Sequence, residues 1–361
     1  MRDWGLRMSA SAALPRLLAL KTAVPPYTLD QTVVSERVRV QFSGRPDVER
    51  LLPVFANTGI ERRYSCVPIE WYAEPHGWKD RTALYVQHAV QLFETVALAC
   101  LAEAKLAPDE IDAIVTVSTT GVATPSLDAL LVERMGLRRD IKRLPIFGFG
   151  CAGGVIGLAR AGAMATAVPG AKVLFLAVEL CALTFRRDDL SKSNVVATAL
   201  FGDGAAGAIV STAGNGPALG ANGEHTWPDS LDIMGWDIEE DGLKPIFSRH
   251  IPTLVRTEFG PVLFDFLRCN DTSLDEIETF ACHPGGAKVL EALEQVLALP
   301  QGGLVDSRAV LRDYGNMSAV TVLFVLERMR VREAQRRTLM TTLGPGFTAA
   351  FLMLDPSTDS G

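Results

Sequence analysis

The sequence predicts an α/β protein with a mostly parallel sheet, built from two similar halves. Amphipathic helical segments alternate with short runs rich in β-branched residues. Two stretches also recur in the same order. APDEIDAIVTV at 107–117 is echoed by TSLDEIETFAC at 272–282, and FGDGAAGAIVS at 201–211 by LGPGFTAAFLMLD at 343–355. These echoes predict one half at 1–215 and a second at 216–361.

Composition narrows the class of protein. The chain has 361 residues, is 48% hydrophobic and carries a net charge of -7, which argues against general nucleic-acid binding. Its six cysteines form no CxxC pair, so we expect neither disulfides nor a metal site. We also expect the protein to be located in a reducing cytoplasm. The apolar N-terminal stretch is broken by Pro15 and Arg16, and no uncharged run reaches the ~20 residues of a membrane helix. We therefore expect no signal peptide and no membrane contact.

The first half contains a candidate nucleophile. Residues 82–106 are predicted as a helix, followed by a turn and a buried strand ending at 121. The apolar run RLPIFGFG then leads to Cys151, and a helix of small residues begins at 152. Unpaired N–H groups and the helix dipole favour a thiolate there. The alternative is a small structural cysteine in a tight turn.

Two further polar residues lie at similar turns. His283 is the only one of five histidines where a strand gives way to a helix, and Asn316 opens another helix after a small-residue turn. Each has a structural alternative, a hydrogen-bonded core histidine and a turn or cap asparagine. Taken together, a Cys–His–Asn set indicates catalysis by a thiol nucleophile.

The motifs CAGG at 151, HPGG at 283, YGNMS at 314 and GPGF at 344 resemble, in order and spacing, the type III polyketide synthases, which are chalcone synthase-like enzymes. The similarity runs from about residue 12 to 355 and includes STTG at 118–121, LTFR at 183–186 and LFGDGA at 200–205. The resemblance implies a thiolase-like five-layered αβαβα fold, a homodimer, and acyl-CoA and malonyl-CoA as substrates without a cofactor.

The resemblance also implies roles for the three turn residues. Cys151 would take an acyl group from acyl-CoA as a thioester. His283 and Asn316 would bind the thioester carbonyl of malonyl-CoA and stabilise the negative charge that decarboxylation places on its oxygen. His283 would also hold the Cys151 thiolate as an ion pair.

Other positions match residues that line the family's cavity. Phe201 matches a gating phenylalanine. Pro245 replaces a second gating phenylalanine of the plant enzymes, so the sequence predicts the loss of a two-Phe gate, and Trp236 stands in the adjoining loop where a glycine is usual. The remaining matches are Thr119, Thr120, Thr124, Cys181, Thr184 and Ser318 for the cavity, Gly344, Pro345, Gly346 and Phe347 for a cyclisation loop, and Arg50, Gly285 and Gly286 for coenzyme A, with Arg45 as a further base.

The STTGVATPS and MGWD contexts resemble bacterial alkylpyrone and alkylresorcinol synthases more than plant enzymes. This implies a medium or long fatty acyl starter, extended with malonyl units and cyclised to a pyrone or resorcinol. Alternatives are a malonyl or aromatic starter, or a single condensation like that of ketoacyl synthase III, whose HQAN and GNTS motifs differ from HPGG and GNMS here. A thiol hydrolase and a non-catalytic acyl-CoA binder explain fewer motifs.

Overall fold

A computed structural model describes residues 13–41, 49–333 and 335–357 of the chain. Its largest sheet has nine strands, ordered β11-β12-β13-β8-β1-β7-β6-β4-β5, and the pairs β2–β3 and β9–β10 form two small two-stranded sheets. The strands are β1 Arg16–Ala23, β2 Tyr27–Asp30, β3 Arg62–Ser65, β4 Ala113–Val117, β5 Lys142–Ile146, β6 Val173–Leu180, β7 Asp203–Ser211, β8 Ala218–Thr226, β9 Met234–Glu239, β10 Gly242–Phe247, β11 Thr279–Cys282, β12 Thr338–Gly344 and β13 Thr348–Asp355.

Eleven α-helices lie in the described part of the chain, together with several single-turn 3₁₀ segments and a π-helical turn at Val255–Phe259. They are α1 Gln31–Gln41, α2 Pro53–Asn57, α3 Trp78–Ala104, α4 Leu127–Met135, α5 Gly153–Ala167, α6 Lys192–Leu200, α7 Ile251–Leu254, α8 Gly260–Cys269, α9 Ala287–Val296, α10 Val305–Tyr314 and α11 Thr321–Glu333. The helix expected at 82–106 is α3, which begins four residues earlier and ends two earlier.

The nine strands form two sets that meet at a single antiparallel pair, Arg16 with Ala218. Helices α5 and α11 lie between the sets, since α5 contacts β4, β6 and β7 on one side and β8, β12 and β13 on the other. Helices α3 and α4 cover the outer face of the first set, and α8 and α9 pack in the hydrophobic cluster on the outer face of the second. This arrangement is the five-layered αβαβα fold of thiolase-like enzymes.

The two sequence echoes occupy equivalent positions in these sets. The first pair forms β4 and β11, and the second pair forms β7 and β13. The expectation of a mostly parallel sheet is wrong. Only the pairs β4–β5, β4–β6 and β11–β12 are parallel, while β7 and β13 run antiparallel to both neighbours. Alternation of helices and strands in a sequence does not encode strand direction, and the short GPGF connection makes β12–β13 a hairpin.

Helix α3 is long and apolar enough to cross a membrane by length and composition, the one such helix found among the described residues. Half of its apolar window is buried, and the helix packs against β1, β6 and β7. Burial of this kind is typical of a core helix in a globular domain.

Candidate active site

Cys151 lies in a 3₁₀ turn, Gly150–Ala152, that runs directly into α5. Gly150 has φ +46°, and a Cβ there would come within 2.6 Å of Pro345. A Cβ at Gly154 would come within 2.1 Å of the Ala319 carbonyl oxygen. The glycines around Cys151 therefore let the start of α5 lie directly against the turn that carries Asn316. The predicted helix-start position of the thiol is confirmed.

The Cys151 thiol is half-buried, and burial raises its pKa to about 12. Hydrogen bonds from the Ser318 and Asn316 side chains act in the opposite direction. The Asn316 amide is itself oriented, because its Oδ1 accepts from the Ser318 N–H at 2.8 Å and its Nδ2 faces the Gly285 carbonyl at 3.4 Å. Asn316 and Ser318 thus both reach the Cys151 sulfur.

His283 follows β11 and is held through its backbone N–H, which donates to the Thr341 carbonyl at 2.9 Å. Its side chain is 4% exposed, and both ring nitrogens lack a hydrogen-bond partner among the described residues. Burial lowers the pKa of His283 to about 3. A buried imidazole with two unused nitrogens is unusual, and it leaves a donor available to a bound group.

The expected Cys151–His283 ion pair is absent from this structure. Neither imidazole nitrogen bonds the thiol, and burial favours the neutral form of both groups. Moving the thiol proton to the imidazole would place two charges in a poorly solvated site, which requires a direct contact between them.

Cys151, His283 and Asn316 line one cavity of about 490 Å³, here called the catalytic cavity. Arg50, Gly285 and Gly286, which the resemblance assigned to coenzyme A, also line it. The catalytic cavity is also lined by three cations that were not predicted from the sequence, Lys192, Arg249 and Lys288. Arg45 lies outside the described residues. Arg249 follows strand β10, and Lys288 lies in the first turn of α9. They are far apart in the sequence, so only the fold brings them to the mouth of the same cavity.

A second cavity, of about 270 Å³, is here called the apolar cavity. Cys181, Thr184 and Phe201 line it, as the resemblance implied for the family's substrate cavity. Most of its other lining residues are hydrophobic, namely Leu29, Val34, Val38, Val40, Ile69, Ala73, Ala182, Phe185 and Ala197.

One hydrophobic cluster separates the two cavities and is here called the dividing wall. It consists of Phe201, Trp236, Phe247, Leu200, Cys181 and Ala197. Leu200 and Phe247 face the catalytic cavity, whereas Phe201, Cys181 and Ala197 face the apolar cavity. The Phe201 ring centroid lies 5.6 Å from that of Trp236 and 5.5 Å from that of Phe247.

The residues of the dividing wall differ from two expectations, one about the second gating phenylalanine and one about the position of Trp236. The second aromatic ring is not lost with Pro245, because Phe247 contacts Phe201 from two positions further along β10. Residues two apart on a strand share a face, so period-two reading of this strand could have found Phe247. Trp236 lies on β9 and pairs with Pro245 rather than standing in a loop.

Thr119 and Thr120 line neither cavity. Both backbone N–H groups donate at 3.0 Å to the buried Glu179 carboxylate, which also accepts from the Thr120 hydroxyl at 2.8 Å. The Thr119 hydroxyl accepts from the Gly150 N–H at 3.1 Å. These threonines therefore support the Cys151 turn through hydrogen bonds. Burial raises the pKa of Glu179 to about 8. An acidic residue inside the apolar run LFLAVEL was a sequence signal of this buried contact, and it was not used in the prediction.

Thr124 is exposed on the surface of the chain, so its expected place in the cavity is wrong for a single chain. The four residues of the GPGF loop line neither cavity. A Cβ at Gly344 would come within 2.4 Å of the Phe149 carbonyl oxygen, Pro345 contacts Gly150, and Phe347 is buried against Trp227. The loop, which includes Gly346, packs against the Cys151 turn.

Among the described residues, no group of three His, Cys, Asp or Glu side chains is arranged to hold a metal ion. The chemistry available here is that of a thiol, an unpaired imidazole and an oriented amide, with cations at the cavity mouth. This set suits transfer of an acyl group between thiols.

Comparison with known proteins agrees with this chemistry. The models of the N-terminal and C-terminal domains of chalcone and stilbene synthases match residues 5–215 and 221–355. A 1,3,6,8-tetrahydroxynaphthalene synthase of Streptomyces peucetius is 38% identical over 93% of this chain and 92% of its own. An alpha-pyrone synthesis polyketide synthase-like protein of Mycobacterium tuberculosis is 28% identical over 93% and 90%.

Among solved structures, the 1,3,6,8-tetrahydroxynaphthalene synthase of Streptomyces coelicolor, a bacterial type III polyketide synthase, superposes with a TM-score of 0.90. It is 30% identical, and the match covers 95% of this chain and 99% of that one. Fold, motifs and relatives agree along nearly the whole sequence, so the chain belongs to the chalcone and stilbene synthase family and is a type III polyketide synthase, an acyltransferase.

Proposed function

We propose that this synthase loads a medium or long aliphatic acyl group onto Cys151, extends it with malonyl units and cyclises it to an alkylpyrone or alkylresorcinol-type product. The apolar cavity beside the dividing wall is the observation that carries this proposal. It offers a hydrophobic space next to Phe201, which separates it from the cavity of the nucleophile.

The proposed chemistry assigns one role to each polar residue. The Cys151 sulfur attacks the acyl-CoA carbonyl carbon, its proton passes to His283, and the coenzyme A thiolate leaves and takes that proton. Malonyl-CoA then binds with its thioester oxygen towards the unused imidazole nitrogen and the Asn316 amide. The electron pair of the broken carbon–carboxylate bond moves into an enolate that these donors stabilise. The carbanion attacks the acyl-Cys151 thioester and releases the thiolate.

An aliphatic chain reaches the apolar cavity if the Phe201 ring turns away from Phe247. Each buried methylene then contributes about 0.8 kcal/mol of binding free energy. Rotation of the Phe201 ring leaves its backbone hydrogen bonds intact, including the one from the Phe201 N–H to the Ala197 carbonyl at 2.8 Å.

We expect kcat/KM to rise steadily from acetyl-CoA to longer acyl-CoA starters and to level off where the apolar cavity ends. The Cys181→Trp substitution fills that cavity and should shift the preference to shorter starters. Release of carbon dioxide from malonyl-CoA, measured on the same variant, is the control and should change less than about threefold. A profile that is flat in the native enzyme would contradict the aliphatic starter.

A malonyl starter is the second candidate. The product in the name of the 38% identical relative, a tetrahydroxynaphthalene, carries no alkyl chain, which favours a starter without one. The two candidates differ in one assay. A malonyl-primed enzyme forms a cyclised product from malonyl-CoA alone, whereas the proposed enzyme needs an added acyl-CoA. Mass spectrometry of the products formed with and without the aliphatic starter separates them.

We further propose that Arg50, Lys192, Arg249 and Lys288 bind the coenzyme A phosphates. All four are exposed at the catalytic cavity, and none forms a salt bridge with a described residue. Most other exposed arginines of this acidic chain are paired with carboxylates, as Arg134 is with Glu94 at 2.6 Å. Unpaired cations around a cavity mouth provide the charge that phosphate groups require.

Replacing Arg249 and Lys288 together by alanine should raise KM for malonyl-CoA about tenfold or more, because each lost charged hydrogen bond costs about 1.5–3 kcal/mol. Turnover at saturating substrate should change little. Steady-state kinetics at low and high salt would show a smaller salt dependence of KM in the variant. Arg134→Ala is the matched control; an equal rise of KM there would exclude a specific phosphate site.

We also expect the division into halves at residues 1–215 and 216–361, the homodimer and the cytoplasmic location. The junction of the two family models near the same point supports the division. The exposed edge strand β5, next to Phe147 at 60% exposed and Val122 at 54%, offers a surface for a second copy. We expect no nucleic-acid partner and no cofactor beyond the coenzyme A substrates.

A further inference from the structure

Two adjacent arginines at the start of β3 have opposite environments. Arg62 points to the surface and lies 3.8 Å from Asp313, whereas Arg63 is 2% exposed. A fully buried arginine is rare and carries a large desolvation cost, so its bonds must be numerous. Burial lowers the pKa of Arg63 to about 10, which leaves the guanidinium protonated at neutral pH with all its donors.

The guanidinium of Arg63 holds the C-terminal end of α6. Nη1 donates to the Phe201 carbonyl at 2.8 Å and to the Thr198 carbonyl at 2.5 Å, while Nη2 donates to the Gln31 side-chain oxygen at 2.8 Å. The last carbonyls of a helix have no partner within it, and an arginine can satisfy them. Arg63 thereby sets the backbone position of the gating Phe201.

The aliphatic stem of Arg63 contacts the segment before Asn316. A Cβ at Gly315, which has φ +70°, would come within 2.6 Å of Arg63 Cγ. The two segments that Arg63 touches are joined to each other. The Asn316 N–H donates to the Leu200 carbonyl at 2.8 Å, and the Gly202 N–H donates to the Asn316 carbonyl at 3.1 Å. One side chain therefore contacts both segments of the bridge between Phe201 and Asn316.

We propose that Arg63 is a positioning residue that sets the Asn316 amide and the Phe201 ring relative to the thioester. This inference rests on the proposed role of Asn316 in decarboxylation. Lysine cannot replace it, because a single ammonium group cannot bond two carbonyls and the Gln31 amide in the fixed directions of a planar guanidinium. Displacements of about 1 Å in a catalytic group can cost about 10²-fold in rate.

Two rates measured on Arg63→Lys test the proposal. Carbon dioxide release from malonyl-CoA, which uses Asn316, should fall about tenfold or more in kcat, with KM changed less than threefold. Acylation of Cys151 by acetyl-CoA, whose chain is too short to extend past Phe201 into the apolar cavity, should change less than threefold when followed by intact mass, since no hydrogen bond of Arg63 goes to the Cys151 turn. The matched control is Arg308→Lys, whose two guanidinium bonds go to the buried Glu294 at 2.7 and 2.8 Å. It should leave the ratio of the two rates unchanged.

Gln31→Met is the second variant and serves if Arg63→Lys does not fold. It removes the bond to Nη2 and should lower the same ratio by a smaller factor. The inference is wrong if the ratio of the two rates is unchanged in folded Arg63→Lys. If that variant does not fold, an unchanged ratio in folded Gln31→Met has the same meaning. An equal fall of the ratio in Arg308→Lys also contradicts the inference. Asn316→Ala measured in parallel distinguishes a failure of the Arg63 inference from a failure of the proposed function of Asn316. If it does not slow carbon dioxide release, the proposed function of Asn316 is wrong, whatever Arg63 does.

Discussion

The Cys151→Ala variant is expected to lose covalent loading completely while it keeps its fold. Incubation with a labelled acyl-CoA should add one acyl mass to the native chain and none to the variant, and product formation should fall below detection. The reason is chemical: alanine has no nucleophile, and four of the other thiols are buried away from solvent, namely Cys66, Cys100, Cys181 and Cys282, whereas Cys151 is half-buried and lines the catalytic cavity.

Cys269 provides the matched control, because it is the only other cysteine as accessible as Cys151. Cys269→Ala should load normally. Circular dichroism and thermal unfolding of both variants establish that they are folded. An acyl group found by peptide mapping on any cysteine other than Cys151 would refute the assignment of the nucleophile.

The second large effect concerns the carbonyl donors. His283→Ala and Asn316→Ala should each slow carbon dioxide release from malonyl-CoA by about 10²–10³, the usual cost of removing one donor from a developing oxyanion. The assay needs no starter, so it isolates this step from loading. His88→Ala, a half-buried histidine on α3, is the control and should retain native activity.

The pH dependence of Cys151 alkylation separates the roles of His283 and Asn316. The proposed loading step requires the His283 imidazole to contact the Cys151 thiol and accept its proton, and this contact makes the thiol reactive at neutral pH. Without His283, the thiol follows its burial-raised pKa, so the alkylation rate at pH 7 falls and continues to rise far into the alkaline range. Asn316→Ala should shift this profile less, because Ser318 still donates to the sulfur. Identical shifts in both variants would contradict separate roles.

Local sequence features located the three polar residues correctly, because each lies where a strand meets a helix. Cys151 precedes α5, His283 follows β11, and Asn316 precedes α11. Such turns are encoded within about ten residues by glycines and by the change of hydrophobic period. Their meeting in one cavity was implied by the family resemblance, and the structure bears it out.

Contacts between segments that are distant in the sequence could not be predicted from local patterns. Strand direction, the exposure of Thr124 and the packing of the GPGF loop all depend on what each segment meets in space. The identity of the second aromatic ring, Phe247, depended on the pairing of β9 with β10.

Short motifs and hydrophobic period are local properties of the chain, and they were enough to predict the family, the duplicated α/β architecture and the Cys–His–Asn set. How these parts act on one another depends on the three-dimensional fold. It separates two cavities by the dividing wall, places at the mouth of one of them four cations that form no salt bridge with a described residue, and buries Arg63 between Phe201 and Asn316. The physical reason is that burial and hydrogen bonding depend on neighbours far apart in sequence, which no local pattern records.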